Sequence, residues 1–368
     1  MKIIFSGGGT GGHIYPALTL IETIKEKYPQ AEILYVGTKK GLEADIVPKA
    51  DIPFATINIE GFARKLSLHN LVVVGKAAMG LLKARRIIKK FSPDVVVGTG
   101  GYVSGPLLMM AALMKIPTLI QDQNAVPGVT NKILAKFVTK IACGYESACK
   151  FFPADKVQLT GNPIRKDVLS YTRSEAIKKL KLDPAKKTLL VTGGSRGARR
   201  INEAMLDVYK SFANSDKLQI LHITGKTEYE RFIDSVKREN IDLAKVSNIQ
   251  IKPYLYDMPQ ALAAADVIVS RAGAIGLAEI TARGLASILV PYPYAAENHQ
   301  EYNAKALVNA KAAKMILNKE LNGQALIVML EDLLQSPADL LQIAQNSKKM
   351  GYPQAVDNIV SMIVSIVK

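Results

Sequence analysis

The sequence predicts an α/β protein of two doubly wound domains, each built on a parallel β-sheet. Glycine-rich loops follow short apolar segments twice, at residues 7–12 and 193–197, and each loop precedes a helical apolar pattern. Short strands alternate with helix-length segments in both halves, as in stacked βαβ units. A chain of 368 residues, 48% hydrophobic and 22% charged, is long enough for two such cores.

The first half begins with an apolar strand directly ahead of the loop "GGGTGGH". The amide groups of such a loop, with the positive end of the following helix, form an anion site. A dinucleotide site also needs an acidic residue after the second strand. That strand, residues 33–36, ends in Gly37-Thr38-Lys39-Lys40 and offers none. The loop alone therefore predicts either another kind of anion site or a tight turn without a ligand. Further strands of this half are predicted at residues 94–97 and 118–120.

The second half repeats the arrangement, with strands predicted at residues 187–192, 219–223 and 267–270. Gly and Pro interrupt residues 160–167, and we expect the domain boundary there. The predicted domains are residues 1–163 and 164–349, with a C-terminal helix at about residues 350–368 packing back on the first domain. Ligands of doubly wound sheets bind outside the carboxyl ends of the strands, so both sets of loops are expected to face one cleft.

Cysteine spacing, the N-terminus and the longest uncharged run indicate where in the cell the protein is expected. Cys143 and Cys149 lack metal-ligand spacing and predict reduced thiols in a reducing compartment. The chain starts directly with a strand, so no export is expected. The uncharged run at residues 95–114 is interrupted by Gly and Pro and is interpreted as core rather than a membrane span.

The formal net charge is +16, but the basic residues are not interleaved with aromatics and there is no Trp, so nucleic acid is not expected as a partner. Residues 61–93 hold eight Lys or Arg and no acid, mixed with apolar residues. Such a stretch is typical of a surface that lies on an anionic membrane. An amphipathic helix with a solvated basic face explains the pattern equally well.

The second half carries a denser constellation of candidate site residues at 270–304 than its glycine loop alone provides. Glu279 follows a glycine turn and is a carboxylate able to accept both hydroxyls of a ribose, whereas Arg271, His299 and Gln300 can address phosphate or sugar. A lone Glu279 would be interpreted as a solvent-facing helix residue. Clustering with a strand, a turn and a Pro-bounded loop favours a nucleotide-sugar site.

Several motifs in order identify a specific resemblance. They are "GGTGGH", "GGYVSGP" at residues 100–106, "QNAVPGVTNK" at 123–132, "GNPIR" at 161–165, "GGSRGAR", and "SRAGA" followed by Glu279, "HQ" and "NA". Over essentially its whole length the chain resembles the MurG family of bacterial N-acetylglucosaminyltransferases, which have the GT-B fold.

The resemblance implies an inverting transferase that moves N-acetylglucosamine from UDP-N-acetylglucosamine to the 4-hydroxyl of the muramoyl sugar of undecaprenyl-linked lipid I. The product, lipid II, serves peptidoglycan synthesis, and with it cell shape and division. The family resemblance also implies a peripheral position on the cytoplasmic face of the membrane, an anionic inner surface as partner, and contacts with other cell-wall synthesis proteins.

The resemblance assigns the donor to the second domain and the acceptor, with the membrane surface, to the first. Glu279 is expected at the ribose, the backbone near Leu255 at the uracil, Ser195 at the diphosphate, and His299, Gln300, Asn124 and Ala274 around the amino sugar. The full donor set is Thr10, Gly11, Gly12, Asn124, Arg165, Ser195, Leu255, Arg271, Ala274, Glu279, His299 and Gln300. The acceptor set, which grips the lipid diphosphate, is Gly9, Gly12, His13, Gly100, Gly101 and Tyr102.

Three positions depart from the family pattern. Asp122, in Gln121-Asp122-Gln123-Asn124, stands where the family usually has a longer Glu. Arg196 replaces a usual Gln in the second glycine loop, where it either adds a charge near the donor phosphates or points to solvent. Ala272 replaces a common Ser, and little effect is expected from it.

The transfer needs a base for the acceptor hydroxyl, and His13 is the candidate because an imidazole with a pKa of about 6.5 suits proton transfer near neutral pH. Alternatively His13 only donates to the acceptor diphosphate or caps the helix, and Asp122 is the alternative base. No Asp-x-Asp pair occurs, so no cofactor and no essential divalent metal are expected. The helix start behind Ser195, with Arg165 and Arg196, would then stabilise the leaving diphosphate.

Two other classes of function remain open at this point. The first is a UDP-sugar-dependent glycosyltransferase acting on another membrane lipid of the diacylglycerol type. The second is a soluble UDP-sugar epimerase of the same fold, or a nucleotide-sugar binding protein without activity. The basic, apolar stretch at residues 61–93 favours a protein that works at a membrane over this second class.

Overall fold

The structure is a computed structural model that describes residues 1–59 and 69–367, with side chains at 1–59 and 79–367. The described chain forms two compact units, unit 1 (Met1–Ile164 with Tyr352–Lys368) and unit 2 (Arg165–Gly351). The domain bounds expected from the sequence differ from these by one or two residues. Residues 60–68 of the predicted membrane stretch at 61–93 lie outside the described residues.

Unit 1 is a doubly wound α/β unit. Its elements in chain order are β1 (Lys2–Gly7), α1 (Gly11–Lys27), β2 (Glu32–Gly37), α2 (Glu43–Ile46), a 3₁₀ turn (Pro48–Ala50), β3 (Phe54–Thr56), α3 (His69–Phe91), β4 (Val95–Gly100), α4 (Ser104–Leu113), β5 (Thr118–Asp122), α5 (Val129–Leu134), β6 (Lys140–Cys143), α6 (Glu146–Cys149) and β7 (Val157–Leu159). In the described part of the unit, seven parallel strands lie in the order β3-β2-β1-β4-β5-β6-β7.

The central strands of unit 1 are apolar on both faces because helices cover both faces of the sheet. Ile3, Ile4 and Phe5 of β1 have no solvent exposure, and neither has Val95–Val97 of β4. The apolar run that begins at residue 95 forms β4 and α4, as the sequence predicts. Among the described helices, none combines the length and the hydropathy that a bilayer-spanning segment requires.

Unit 2 repeats the winding around a second parallel sheet. It consists of a 3₁₀ turn (Lys166–Leu169), α7 (Arg173–Leu180), β8 (Lys187–Thr192), α8 (Arg199–Phe212), β9 (Leu218–Ile223), α9 (Tyr229–Arg238), a 3₁₀ turn (Leu243–Lys245), β10 (Ile249–Lys252), α10 (Met258–Ala264), β11 (Val267–Ser270), α11 (Ala274–Arg283), β12 (Ala286–Leu289), a 3₁₀ turn (Ala296–Asn298), α12 (His299–Asn309), β13 (Lys314–Met315), α13 (Gly323–Gln335) and α14 (Pro337–Lys349). The strand order in the described unit is β10-β9-β8-β11-β12-β13.

The last helix, α15 (Ala355–Ser365), belongs to unit 1. Its buried residues Ile359, Val360 and Ile363 join the apolar cluster of α1 and β1. Lys27 at the end of α1 forms an ion pair of 2.6 Å with Asp357. Tyr352 packs so tightly against Gly161 (φ +78°) that a Cβ there would overlap the Tyr352 side chain. The helix α15 therefore completes the apolar core that α1 and β1 form.

Candidate active site

The first glycine loop lies at the carboxyl ends of β1 and β4, which are neighbours in the sheet. A Cβ at Gly101 (φ +81°) would lie 2.4 Å from the Gly8 carbonyl oxygen. The Gly8 N–H donates to the Gly100 carbonyl oxygen at 3.3 Å. Close approach and positive φ together require glycine at this position. The structure thus brings together the two glycine motifs that the resemblance assigns to the acceptor.

His13 lies in the first turn of α1, beside Gly100. Its Nδ1 is 2.9 Å from the Gly8 carbonyl oxygen and 3.4 Å from Thr10 Oγ1. A carbonyl oxygen only accepts, so Nδ1 carries the proton and Nε2 is the basic nitrogen of the neutral ring. This tautomer suits a general base, a role that stays a prediction.

The start of α1 presents further residues of the predicted site. Thr10 is the extended N-cap residue of α1, and its side chain makes no capping hydrogen bond. Tyr102 is 40% exposed, and a Cβ at Gly9 would lie 3.7 Å from its ring. Gly11 and Gly12 open the helix, and Gly12 is exposed. The first-turn amides and an aromatic ring therefore border the same loop, an arrangement that suits an anionic ligand.

Glu43, which was not predicted as a site residue, holds this loop in place through hydrogen bonds. The side chain is fully buried and accepts hydrogen bonds from Thr38 Oγ1 (2.7 Å), Thr38 N (2.9 Å) and Gly9 N (3.1 Å). Burial alone would raise the pKa of this carboxyl, but the bonds from Thr38 and Gly9 outweigh it and hold the pKa below its usual range. The Gly9 N–H is thus already donated to Glu43. The polar "GTKKGLE" sequence at the end of β2 was the only feature of the sequence that could have indicated this carboxylate.

Asp122 is the last residue of β5, which lies next to β4 in the sheet, and Asn124 follows it in the loop. The Asp122 carboxylate is 2% exposed and accepts from Asn131 Nδ2 at 2.7 Å and from the Asn124 backbone N–H at 3.1 Å. Burial raises the pKa of Asp122 to about 6, against the opposite effect of these bonds. Asp122 therefore holds the loop that follows β5, and its role as alternative base stays a prediction.

The second glycine loop, after β8 in unit 2, carries Ser195 and Arg196, and both are exposed. Gly194 and Gly197 have φ of +86° and +82°. A Cβ at Gly197 would overlap the Thr224 carbonyl oxygen. The glycines therefore fix the loop against the turn after β9 and leave Ser195 at the surface, ahead of the N-terminus of α8.

A buried polar chain lies beneath this loop. Tyr209 OH is 2.6 Å from His222 Nδ1, His222 Nε2 is 3.1 Å from Asn202 Oδ1, and Asn202 Nδ2 donates to the Thr224 carbonyl at 3.1 Å. Burial lowers the pKa of His222 to about 3, so the ring is neutral. These residues were not predicted from the sequence. The chain of hydrogen bonds ties β9 and α8 to the turn that backs Gly197.

Glu279 lies on α11 and is 15% exposed, so it is not the solvent-facing residue that a lone glutamate would suggest. Arg165 Nε donates to Glu279 Oε1 at 3.4 Å. Burial raises the pKa of Glu279, while the Arg165 charge acts in the opposite direction. The structure therefore pairs two residues of the predicted donor set, although they lie 114 positions apart in the chain.

Arg271 and Gln300 fix the loops around α11 and α12. Arg271 Nη1 donates to Asn318 Oδ1 (2.8 Å) and to the Val290 carbonyl (3.1 Å). Burial lowers the pKa of Arg271 to about 10. Gln300 Oε1 accepts from the Tyr292 N–H (2.9 Å) and from the Ala272 N–H (3.2 Å). Both side chains thus have a structural role here, and their contacts with a donor stay predictions.

His299 begins α12 after two residues in the left-handed region, Glu297 (φ 51°) and Asn298 (φ 54°). Left-handed conformations of residues other than glycine cost energy and are concentrated at functional sites. His299 Nδ1 donates to the Ala296 carbonyl oxygen at 2.7 Å, so Nε2 is the basic nitrogen of the neutral ring. Burial lowers the pKa of His299.

The other predicted donor residues occupy the same edge of unit 2. Ala274 is the first residue of α11, after the uncapped turn at Gly273. Leu255 is half-buried in the loop between β10 and α10, beside Tyr254 and the 82% exposed Tyr256. Among the side chains described at 1–59 and 79–367, no three of His, Cys, Asp or Glu are grouped to hold a metal. The expectation of no metal stays a prediction.

Both halves of the chain match known domains. The N-terminal domain of glycosyltransferase family 28 matches residues 3–143, and the C-terminal domain of the same family matches residues 188–359. The crystal structure of Acinetobacter baumannii MurG superposes with a TM-score of 0.81 at 28% sequence identity, over 99% of both chains. With the two parallel sheets, this confirms the predicted GT-B fold class.

Full-length relatives are also similar. The UDP-N-acetylglucosamine–N-acetylmuramyl-(pentapeptide) pyrophosphoryl-undecaprenol N-acetylglucosamine transferase of Desulforamulus reducens is 50% identical over 367 residues, 100% of this chain and 99% of the relative. The transferase of the same name from Halothermothrix orenii is 47% identical over 371 residues, 100% of both chains. The chain therefore belongs to glycosyltransferase family 28 and, within it, to the MurG family of N-acetylglucosamine transferases.

Proposed function

We propose that this protein transfers N-acetylglucosamine from UDP-N-acetylglucosamine, with inversion, to the 4-hydroxyl of the muramoyl sugar of lipid I. The product is lipid II, for peptidoglycan synthesis. The observation that carries the proposal is the 50% identity with the Desulforamulus reducens transferase along the whole chain. The names of such relatives favour this activity over a diacylglycerol-type transferase and over an epimerase.

Unit 2 is the donor-binding unit in this proposal. The Glu279 carboxylate accepts the ribose hydroxyls, since a buried carboxylate strongly favours hydrogen-bond donors. The exposed loop at Ser195 and the N-terminus of α8 receive the diphosphate, whose charge the helix dipole stabilises. The loop after β10, at Leu255, borders the uracil. His299, Ala274 and Gln300 address the amino sugar.

Unit 1 is the acceptor-binding unit. The loop at Gly9 and Gly12, with Gly100, Gly101 and Tyr102, takes the diphosphate of the lipid acceptor through the first-turn amides of α1. His13 removes the proton from the attacking 4-hydroxyl at Nε2, because Nδ1 already donates to the Gly8 carbonyl oxygen.

The reaction is a single displacement at the anomeric carbon of the donor sugar. The acceptor oxygen forms a bond to the anomeric carbon, the bond from that carbon to the UDP oxygen breaks, and the hydroxyl proton passes to His13. UDP leaves with the electron pair of the broken bond. The α8 N-terminus, Arg165 and Arg196 stabilise the charge that develops on the leaving diphosphate.

The protein works at the cytoplasmic face of the membrane, bound peripherally to its anionic surface. Exposed Leu113 on α4 supports this, because α3 and α4 pack together and α3 is basic. Anchoring by such a surface needs no spanning helix. Other cell-wall synthesis proteins are further proposed partners.

Transfer of radiolabelled N-acetylglucosamine to a lipid I analogue in neutral detergent tests the proposal. We expect a labelled product with lipid I and none with diacylglycerol, and no conversion of UDP-N-acetylglucosamine to an epimer. Labelled diacylglycerol, or epimer without transfer, would instead support one of the other two classes.

A further inference from the structure

Unit 1 contains a cavity of about 980 Å³ that borders the proposed diphosphate loop at Tyr102 and extends away from it. It lies at the carboxyl ends of β2 and β3, against one face of α3. Its described lining residues include five cationic side chains and no carboxylate; the cations are Lys39, Lys40, Lys83, Arg86 and Lys90. The rest of the described lining is mostly apolar and also includes polar groups; it consists of Ile57, Ile59, Met79, Leu82 and Ile87 with Thr38, Asn58 and Tyr102. The cavity therefore combines strong positive charge with apolar surface.

The helical repeat explains how α3 supplies three of these cations. Lys83, Arg86 and Lys90 are spaced by three and four residues, so they share one face. Ala84 and Ile88 are buried in the core of unit 1. Arg85 and Lys89, which are exposed on the same helix, do not line the cavity. The helix thus offers two cations that match those of the cavity but face elsewhere.

The charge of the lining cations is not balanced by the described side chains around them. Within residues 1–59 and 79–367, whose side chains the structure describes, none of the five forms an ion pair. Like charges grouped around one concave surface repel each other, and an anion bound among them relieves that repulsion. Lys39 and Lys40 also occupy the end of β2, where a dinucleotide site would have an acid.

Tyr102 connects this cavity to the glycine loop. Its ring lines the cavity and also lies 3.7 Å from the Cβ position of Gly9. A ligand whose diphosphate lies on the loop therefore has its next groups within reach of the cavity. A flat membrane surface would not fill a concave site of this volume, whereas a short peptide would.

We propose that this cavity binds the anionic peptide of the acceptor, an inference that rests on the proposed function. Relatives act on an acceptor that contains a diphosphate, a muramoyl sugar, a pentapeptide and a polyprenyl chain. The diphosphate has its own loop, and the amide-linked sugar and the polyprenyl chain carry no charge. The peptide, which ends in a carboxylate, is the remaining part that carries negative charge.

The test compares two acceptors in neutral detergent, where no anionic surface is present. One carries the pentapeptide; the other has an N-methylamide in its place, so that no lactyl carboxylate is uncovered. In the Lys83→Gln/Arg86→Gln variant we expect KM for the peptide-bearing acceptor to rise about five- to thirtyfold, since two exposed charge contacts are lost. KM for the N-methylamide acceptor should stay within about twofold.

The matched control is Arg85→Gln/Lys89→Gln, which removes the same charge from the same helix and should change neither KM. A rise of KM for both acceptors alike in the cavity variant would overturn the inference, because the cavity would then serve the diphosphate or the sugar. Unchanged KM values with lost binding to phosphatidylglycerol vesicles would overturn it in favour of the membrane. Absence of transfer by the wild-type protein to either acceptor would overturn the proposed function instead.

Discussion

Replacing Glu43 with Gln tests whether this buried carboxylate holds the glycine loop. Oε1 accepts both bonds from Thr38, and Oε2 accepts the Gly9 N–H at 3.1 Å. In Glu43→Gln an amide N–H₂ replaces one oxygen and faces a donor. A hydrogen bond to a charged group contributes about 1.5 to 3 kcal/mol, and the Gly9 N–H would be left unpaired. We therefore expect unit 1 to lose about 2 to 4 kcal/mol of stability.

Urea unfolding followed by far-UV circular dichroism measures this loss, since the chain has no Trp for fluorescence. Hydrogen exchange by mass spectrometry should assign the faster exchange to residues 7–13 and 37–43. Asp45→Asn is the control; its carboxylate is exposed on α2 and pairs only with Lys49 at 2.7 Å, so about 0.5 kcal/mol or less is expected.

The difference between wild type and Glu43→Gln should also depend on pH. The folded pKa of Glu43 is lowered, so its contribution is complete above the unfolded value, about 4.3. It should decrease as the pH falls below that value, through the folded pKa. Equal urea midpoints at neutral pH, or a loss of protection confined to unit 2, would refute the role of Glu43.

Three further predictions follow from the proposed site. If His13 is the base, His13→Ala should lower kcat about 10²- to 10⁴-fold and leave UDP affinity unchanged. A raised acceptor KM with full kcat would instead show that His13 only binds the acceptor diphosphate. If the acidic limb of the pH profile of kcat persists in the variant, Asp122 becomes the candidate base. Glu279→Ala should weaken UDP binding by about 1.5 to 3 kcal/mol in calorimetry, and unchanged affinity would contradict ribose binding. Arg85→Glu/Lys89→Glu should lower the affinity for anionic vesicles, measured by sedimentation, about tenfold or more, since each cation near such a surface contributes about 1 kcal/mol. Vesicle binding that depends neither on lipid charge nor on these two substitutions would contradict the proposed membrane surface.

The glycine loops could be predicted because their signals are local. In both units an apolar strand, a glycine run and a helical pattern lie within a few residues of each other, so the spacing of apolar residues is enough to identify them. The lysines after β2 were equally visible in the sequence. That these lysines line a cavity could not be predicted, because the cavity forms only when α3 packs beside the ends of β2 and β3.

Pairings between distant residues could not be predicted. Glu43 and Gly9 lie 34 positions apart, and Arg165 and Glu279 lie 114 apart. No periodicity connects such pairs, since only the folding of the sheet brings them together. Arg271 shows the same limit, because a guanidinium beside a glycine turn suggests a phosphate ligand until its carbonyl partners are known.

The membership of α15 in unit 1 has a consequence for synthesis. The ribosome makes residues 1–164 before unit 2, yet Ile359, Val360 and Ile363 of their core are made after it. Unit 2 is continuous in sequence and can complete its own core before that. Domains usually fold in the order of their synthesis, but here the first unit has to wait for the second. Until α15 has left the ribosome, the apolar face of α1 lacks its cover, so a chain stalled or truncated before α15 would expose a site for chaperones and proteases.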